Sequence, residues 1–153
     1  MIKSSYLIIL GIFFLAACQQ NNFYFEEVAK VDSSWKSTDT KKFTVPVKNP
    51  DQEFTMYFIL RNNSEYEYSN IYLFTELKSP KGERVVDTLE YQLAYPTGEW
   101  MGFGMGDIKQ NTLVYKEKIA LKDTGVYEIN VAQAMRENDL IGIEDISLMI
   151  EKN

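Results

Sequence analysis

Short runs in which apolar and polar residues alternate constrain this chain more than any other feature. Phe54, Met56, Phe58 and Leu60 share one side of a run whose other side carries Thr55, Tyr57 and Arg61. Phe43, Val45 and Val47 alternate with Thr44 and Pro46, and Ile71, Leu73 and Leu77 repeat the pattern after the connection RNNSEYEYSN. Leu89, Tyr91 and Leu93 follow the turn SPKGE. Then come Leu113, Tyr115, Ile119 and Leu121, next Tyr127, Ile129 and Val131, and finally Ile146, Leu148 and Ile150. Successive side chains of a strand point to opposite faces, so a period of two marks strands with one face buried. Seven or eight such runs, bounded by turn residues, predict an all-β chain folded as an antiparallel β-sandwich. Immunoglobulin-like and jelly-roll Greek-key orders both fit. Pro46 has no N–H to give a ladder, which puts its strand at a sheet edge. One stretch stands apart: Ala132–Leu140, AQAMRENDL, is expected to form a turn or two of helix before Gly142.

A local signature supports the sandwich. LKDTGVYEI, Leu121–Ile129, has the Asp-x-Gly-x-Tyr spacing of a tyrosine corner, in which the Tyr127 phenol returns to upstream backbone. Ile129 stands where an immunoglobulin domain would place a cysteine, so the core is expected to close without a disulfide.

The start of the chain, MIKSSYLIILGIFFLAACQQNN, fixes the compartment. Lys3 precedes an apolar run, Tyr6–Ala17, shorter than the roughly 20 residues a bilayer-spanning helix needs. A basic start, a short apolar stretch and small residues before a cut site describe a secretory signal. Leu15-Ala16-Ala17-Cys18 looks like a bacterial lipobox, cleaved before Cys18 once its thiol carries diacylglycerol. Cys18 is the only cysteine, so its acylation leaves no thiol for a disulfide, a metal or nucleophilic catalysis. Each buried CH₂ of an acyl chain such as palmitate contributes about 0.8 kcal/mol of membrane affinity, and two or three chains anchor a protein stably. The expected organisation is a signal over residues 1–17, a lipidated N-terminus and short polar tether over 18–22, and one β-sandwich domain over 23–153. Gln19-Gln20 offers neither an aspartate that would retain the protein at the inner membrane nor an acidic run of the kind associated with surface display. An outer-membrane anchor facing the periplasm is therefore expected.

Charge and composition narrow the function. The chain carries a formal net charge of −6, one unit more negative once Lys3 is removed, which argues against nucleic acid. It contains no histidine, which removes Ser-His-Asp and Cys-His arrangements and the commonest transition-metal ligand. The carboxylates nearest to pairs are Glu26-Glu27, Asp87 with Glu90, and Glu144-Asp145. Adjacent strand residues face opposite sides of a sheet, so these are expected to be solvated rather than a glycosidase pair. No Asp-x-Asp-x-Asp-Gly calcium loop occurs. The chain is expected to be no enzyme and to need no cofactor or metal.

The stretch PTGEWMGFGMGD, Pro96–Asp107, is the strongest candidate for a site. A phosphate loop needs Gly-x-x-x-x-Gly-Lys before a helix, and here there is no lysine and a strand follows. A dinucleotide loop needs a third glycine where Asp107 stands. Gly102, Gly104 and Gly106 leave one side of the segment bare, and Met101, Phe103 and Met105 occupy the other. Such a segment either packs as a bulged strand or presents an apolar edge. Trp100 and Phe103 either cap the core or form a partner-binding patch, since aromatics and methionine anchor many interfaces. A glycan-binding alternative would display Trp100, Tyr66 and Tyr68 to sugars. Otherwise Tyr66 and Tyr68 cover the end of the sandwich with their polar tips in water, and Trp35 is expected to be an isolated core plug for the amino-terminal segment.

Taken together, the lipobox, Trp35, RNNSEYEYSNIYL, DTLEYQLAYPTGEWMGFGMGD, GVYEINVAQAMR and LIGIEDISLMIEK resemble the gliding-motility lipoprotein family GldH of the Bacteroidota. The resemblance covers nearly the whole chain after the signal. Its most specific parts are Gly98-x-Trp100-x-Gly102-x-Gly104, Ala134-Met135-Arg136 and Gly142-Ile143-x-Asp145. It implies a cell-envelope lipoprotein required for gliding, in organisms that also run an outer-membrane secretion machinery. Partners among the other gliding or secretion envelope proteins are expected on that basis, and no catalytic residue carries over. Relatives also occur in bacteria that do not glide, which implies a broader envelope role as well.

Overall fold

The structure, a computed structural model, describes residues 23–31 and 34–153. Cys18, with the segments expected to form the signal and the tether, lies outside the described residues. One sheet runs in the order β1 (Phe23–Lys30), β10 (Ile143–Lys152), β4 (Glu53–Asn62), β7 (Lys109–Ala120). The other runs β3 (Lys41–Val47), β8 (Gly125–Gln133), β5 (Asn70–Lys78), β6 (Arg84–Gln92). A two-stranded ribbon of β2 (Ser34–Lys36) and β9 (Asp139–Ile141) sits outside both. Every pairing is antiparallel. The eight long strands thus divide four and four, with the first and last side by side. That is the jelly-roll order of the two left open by the sequence.

The alternation places the core as expected. Leu60, Phe58 and Met56 of β4 stand opposite Ile146, Leu148 and Ile150 of β10, and all six are fully buried. Phe43, Val45, Ile71, Leu73, Ile129 and Val131 face them from the second sheet. Trp35 belongs to this same core rather than to an isolated plug: it is fully buried, and its indole N–H donates to the Asp39 carbonyl at 2.8 Å.

The two flanks of the sandwich are closed in the same way. The Tyr24 hydroxyl of β1 donates to the Pro46 carbonyl of β3, and the Tyr91 hydroxyl of β6 donates to the Val114 carbonyl of β7 at 2.7 Å. Lys116 of β7 adds an ion pair to Asp87 of β6 at 2.7 Å. Each tyrosine occupies a carbonyl of an edge strand that would otherwise template pairing with another chain. Pro46 is on edge strand β3, as its missing N–H requires. At the corner, the Tyr127 hydroxyl accepts from the Asp123 N–H at 2.9 Å, so the phenol does return four residues upstream.

Two expectations need correction. Ala132–Leu140 forms no helix. β8 runs to Gln133 and β9 begins at Asp139, because the Gln133 side chain closes the connection itself. Its amide donates to the Glu137 carbonyl at 2.8 Å and to the Trp35 carbonyl at 3.3 Å, and its oxygen accepts from Met135 N–H at 2.8 Å. The strand count, expected at seven or eight, is ten among the described residues. The additions are β1, an edge strand without a buried alternation, and the three-residue β2 and β9.

The register also defines two ends. Phe23 pairs with Glu151, and Glu53 with Ala120. The connections 48–52, 79–83 and 121–124 gather at that end. The opposite end is built from the connections 63–69, 93–108 and 134–138 together with the ribbon.

Candidate functional site

The glycine-rich connection between β6 and β7 crosses that opposite end, and its two halves are held differently. The first half is a tight hairpin. Ala94 and Trp100 bridge, Met101 N–H donates to the Leu93 carbonyl at 2.8 Å, and Tyr95 N–H donates to Glu99 at 2.8 Å. Pro96 starts the turn, where its fixed φ fits. The N–H groups of Leu93 and Ala94 both reach the Ser69 carbonyl, tying the hairpin to the neighbouring 63–69 connection. Leu93 is fully buried, and the half-buried Trp100 packs on the core with its ring 6.3 Å from that of Tyr66.

In the second half, Phe103 and Gln110 exchange both backbone hydrogen bonds, at 3.0 and 2.7 Å. This seats one extra residue pair beside β7. Below it, the buried Asn111 amide donates to the Asn62 side-chain oxygen at 2.9 Å. The chain passes so close that a Cβ on Gly102 would lie 2.6 Å from Asn111 Oδ1 and 2.8 Å from the Gln110 carbonyl. On Gly104 a Cβ would lie 2.1 Å from the Ile108 carbonyl. Gly102 and Gly104 therefore face the protein, whereas Gly106 has nothing within 4 Å, and Met101, Phe103 and Met105 face outward. Phe103 is 87% exposed and Met105 97%. Together with Ile108, Arg61 and Thr112 they border a shallow groove of about 390 Å³.

Acidic groups surround this tip. The Asp107 carboxylate accepts from the Ser64 N–H at 3.2 Å, and Glu65, Glu67, Tyr68, Glu137 and Asp139 line a neighbouring cleft of about 600 Å³. Partial burial pushes the Tyr68 hydroxyl pKa up, and the charge of Glu137 adds to that. Of the cations beside the tip, Arg61 is paired with Asp145, and Lys109 donates to the carbonyls of Gly106 and Gly104, at 3.2 and 3.5 Å.

The structure separates residues that the sequence grouped. Trp100 and Phe103 belong to two separate bridges with a bend at Met101 and Gly102 between them, the first packed inward and the second exposed. Tyr66 does not keep its tip in water: it is buried, and its hydroxyl donates to the Asn70 carbonyl at 2.8 Å. Burial pushes its pKa far above the ordinary tyrosine range. Of the three aromatics weighed for sugar stacking, Tyr68 opens into a cleft.

The carboxylates also divide. Asp145 is not solvated but buried, paired with Arg61, whose Nε donates to it at 2.9 Å. That hydrogen bond raises the guanidinium pKa against the opposing effect of burial. Glu144 points the other way and accepts from Asn63 Nδ2 at 2.7 Å. Among the described residues no three carboxylates are grouped to hold a metal ion. Sequence reasoning missed the Arg61–Asp145 and Asn62–Asn111 pairs, whose members are far apart in the chain.

The sequence comparisons agree with one another. A family model described as GldH lipoprotein matches residues 23–150. The chain is 35% identical to the gliding motility lipoprotein GldH of Flavobacterium johnsoniae, covering 99% of this chain and 98% of the relative. It is 34% identical to a gliding motility lipoprotein GldH homolog of Christiangramia forsetii, covering 98% of this chain and 96% of the relative. Among solved structures, the infectious bursal disease virus VP2 subviral particle aligns with 82% of this chain and 32% of its own. Its TM-score is 0.36 at 11% identity, a likeness too distant to bear on function.

Proposed function

The chain belongs to the GldH lipoprotein family, and from that premise we propose that it is a non-catalytic, lipid-anchored part of the gliding-motility machinery and its associated secretion apparatus. Residues 1–17 are removed, Cys18 is acylated and becomes the amino terminus, and residues 18–22 tether the sandwich to the outer membrane on its periplasmic side. The sandwich then recruits protein partners through the outward face of the glycine-rich connection. Phe103 supplies the contact, and Trp100 supports it from beneath.

The observation that carries this reading is the exposure of Phe103 and Met105 on a backbone locked by Gly102, Gly104 and the Phe103–Gln110 pair. Contiguous exposed apolar patches mark contact sites, whereas singly exposed apolar residues do not, and Phe103, Met105 and Ile108 are exposed around one groove. A rigid aromatic loses little conformational entropy on docking. A non-catalytic role is supported by the fate of the weighed carboxylates: Arg61, Asn63 and Lys116 engage Asp145, Glu144 and Asp87.

The test is replacement of Phe103 by serine in the full chain in its host. The variant is expected to remain acylated and abundant while gliding and recovery of envelope partners fall together. Unchanged motility with unchanged partners would sink the docking role. Protease treatment of intact and permeabilised cells tests the location, with cleavage expected only after permeabilisation.

A further inference from the structure

The anchor and the tip lie at opposite ends of the sandwich, and that separation dictates how the molecule stands. β1 begins at Phe23, which pairs with Glu151 near the end of β10. Five peptide steps separate Cys18 from Phe23, a reach of at most about 17 Å when fully extended. β10 runs from that end to Ile143 at the other, about 30 Å away at the usual strand rise. The tether is thus too short for the far end to be the one held at the bilayer, unless the sandwich lies flat.

Charge decides against inverting. At the Phe23 end, Lys48, Lys81, Lys122 and Lys152 are interspersed with acids, and Lys81 pairs with Asp123. At the far end, Glu65, Glu67, Glu99, Asp107, Glu137 and Asp139 outnumber Arg136, while Arg61 is paired with Asp145 and Lys109 is already turned onto glycine carbonyls. An anionic headgroup layer repels the second arrangement and tolerates the first. The aromatic start of β1 fits the same place: Phe23 is exposed, and Lys152 sits over the Tyr24 ring at 5.3 Å.

We infer that the connections 48–52, 79–83 and 121–124 form the surface that rests on the phospholipid headgroups, and that the Phe103–Met105 tip projects away from the bilayer. This inference rests on the acylation of Cys18 proposed above. The lipid supplies the affinity; the short tether and the charge difference supply the orientation. A partner engaging the tip therefore meets it across the water-filled compartment rather than within the plane of the same leaflet.

The single cysteine makes the test clean. In the full acylated chain, Lys122→Cys or Met105→Cys introduces the only free thiol, at an exposed position that should leave the fold intact. Each variant is labelled with a fluorophore and reconstituted into vesicles of phosphatidylcholine and phosphatidylglycerol containing a headgroup-nitroxide lipid. The label at 122 is expected to lose most of its emission, and the label at 105 to keep it. Equal loss at both positions, or greater loss at 105, overturns the orientation. Mass spectrometry of the same preparation separates the two failures. An unmodified Cys18 overturns the anchor, and the orientation falls with it. An acylated Cys18 with the reversed quenching pattern overturns the orientation alone.

Discussion

The two halves of the glycine-rich connection, 93–101 and 102–108, both carry large apolar side chains and have opposite physical character. The first half sends two large side chains inward, Leu93 into the core and Trp100 onto it, while Tyr95 and Met101 stay exposed, and the Ser69 carbonyl accepts two N–H groups of the hairpin. The second half buries only backbone, because its inward side is glycine, and it leaves Phe103 and Met105 in solvent. Aromatic content alone therefore does not distinguish a core cap from a contact surface. What distinguishes them is which side of the strand the glycines share.

The comparison can be broken most directly at Trp100. Trp100→Ala removes a half-buried indole that covers the core, and is expected to cost about 2–3 kcal/mol, below the range for a fully buried tryptophan. Chemical denaturation of the domain 23–153 would show it as a lower midpoint with an unchanged slope. A change within error would mean that the hairpin needs no side-chain support. Next in size is Gly102→Ala. Its Cβ would collide with the Asn111 side chain and with the Gln110 carbonyl, which belongs to a paired strand. Because Asn111 is itself buried against Asn62, the expected cost is about 1–3 kcal/mol from overpacking and a disturbed buried amide pair. A change within error at Gly102 would discredit the close approach.

Much of the fold was legible. Phe54, Met56, Phe58 and Leu60 announced a buried face, and Asp123-x-Gly125-x-Tyr127 announced a corner, since both signals are local. The missed elements share one cause: their determinants are not local. β1 is an edge strand on which Glu26 and Glu27 break the alternation, and its place is set by pairing with β10, more than a hundred residues later. Gln133 reads as a helix-tolerant residue until Trp35, from the ribbon, accepts its amide proton. Asp145 reads as solvated until Arg61, 84 residues away, covers it. For the site, the sequence displayed the alternation of glycine with Met101, Phe103 and Met105. Which side faced the protein depended on Asn62 and Asn111, whose meeting is a property of the β4–β7 pairing.

The smallest expected effect on stability is the most informative. Phe103→Ser and Met105→Ser each remove a side chain that touches almost nothing in the isolated molecule, so each should change stability by less than about 0.5 kcal/mol. Serine keeps the backbone N–H and C=O that Phe103 exchanges with Gln110, so the mount survives. A larger loss would show that the tip folds back onto Ile108 and the groove beside it, and the contrast between the two halves would collapse. If stability holds and motility falls, the defect cannot be assigned to misfolding. The free energy of Phe103 is then realised only when another molecule covers it, whereas that of Trp100 is realised on folding.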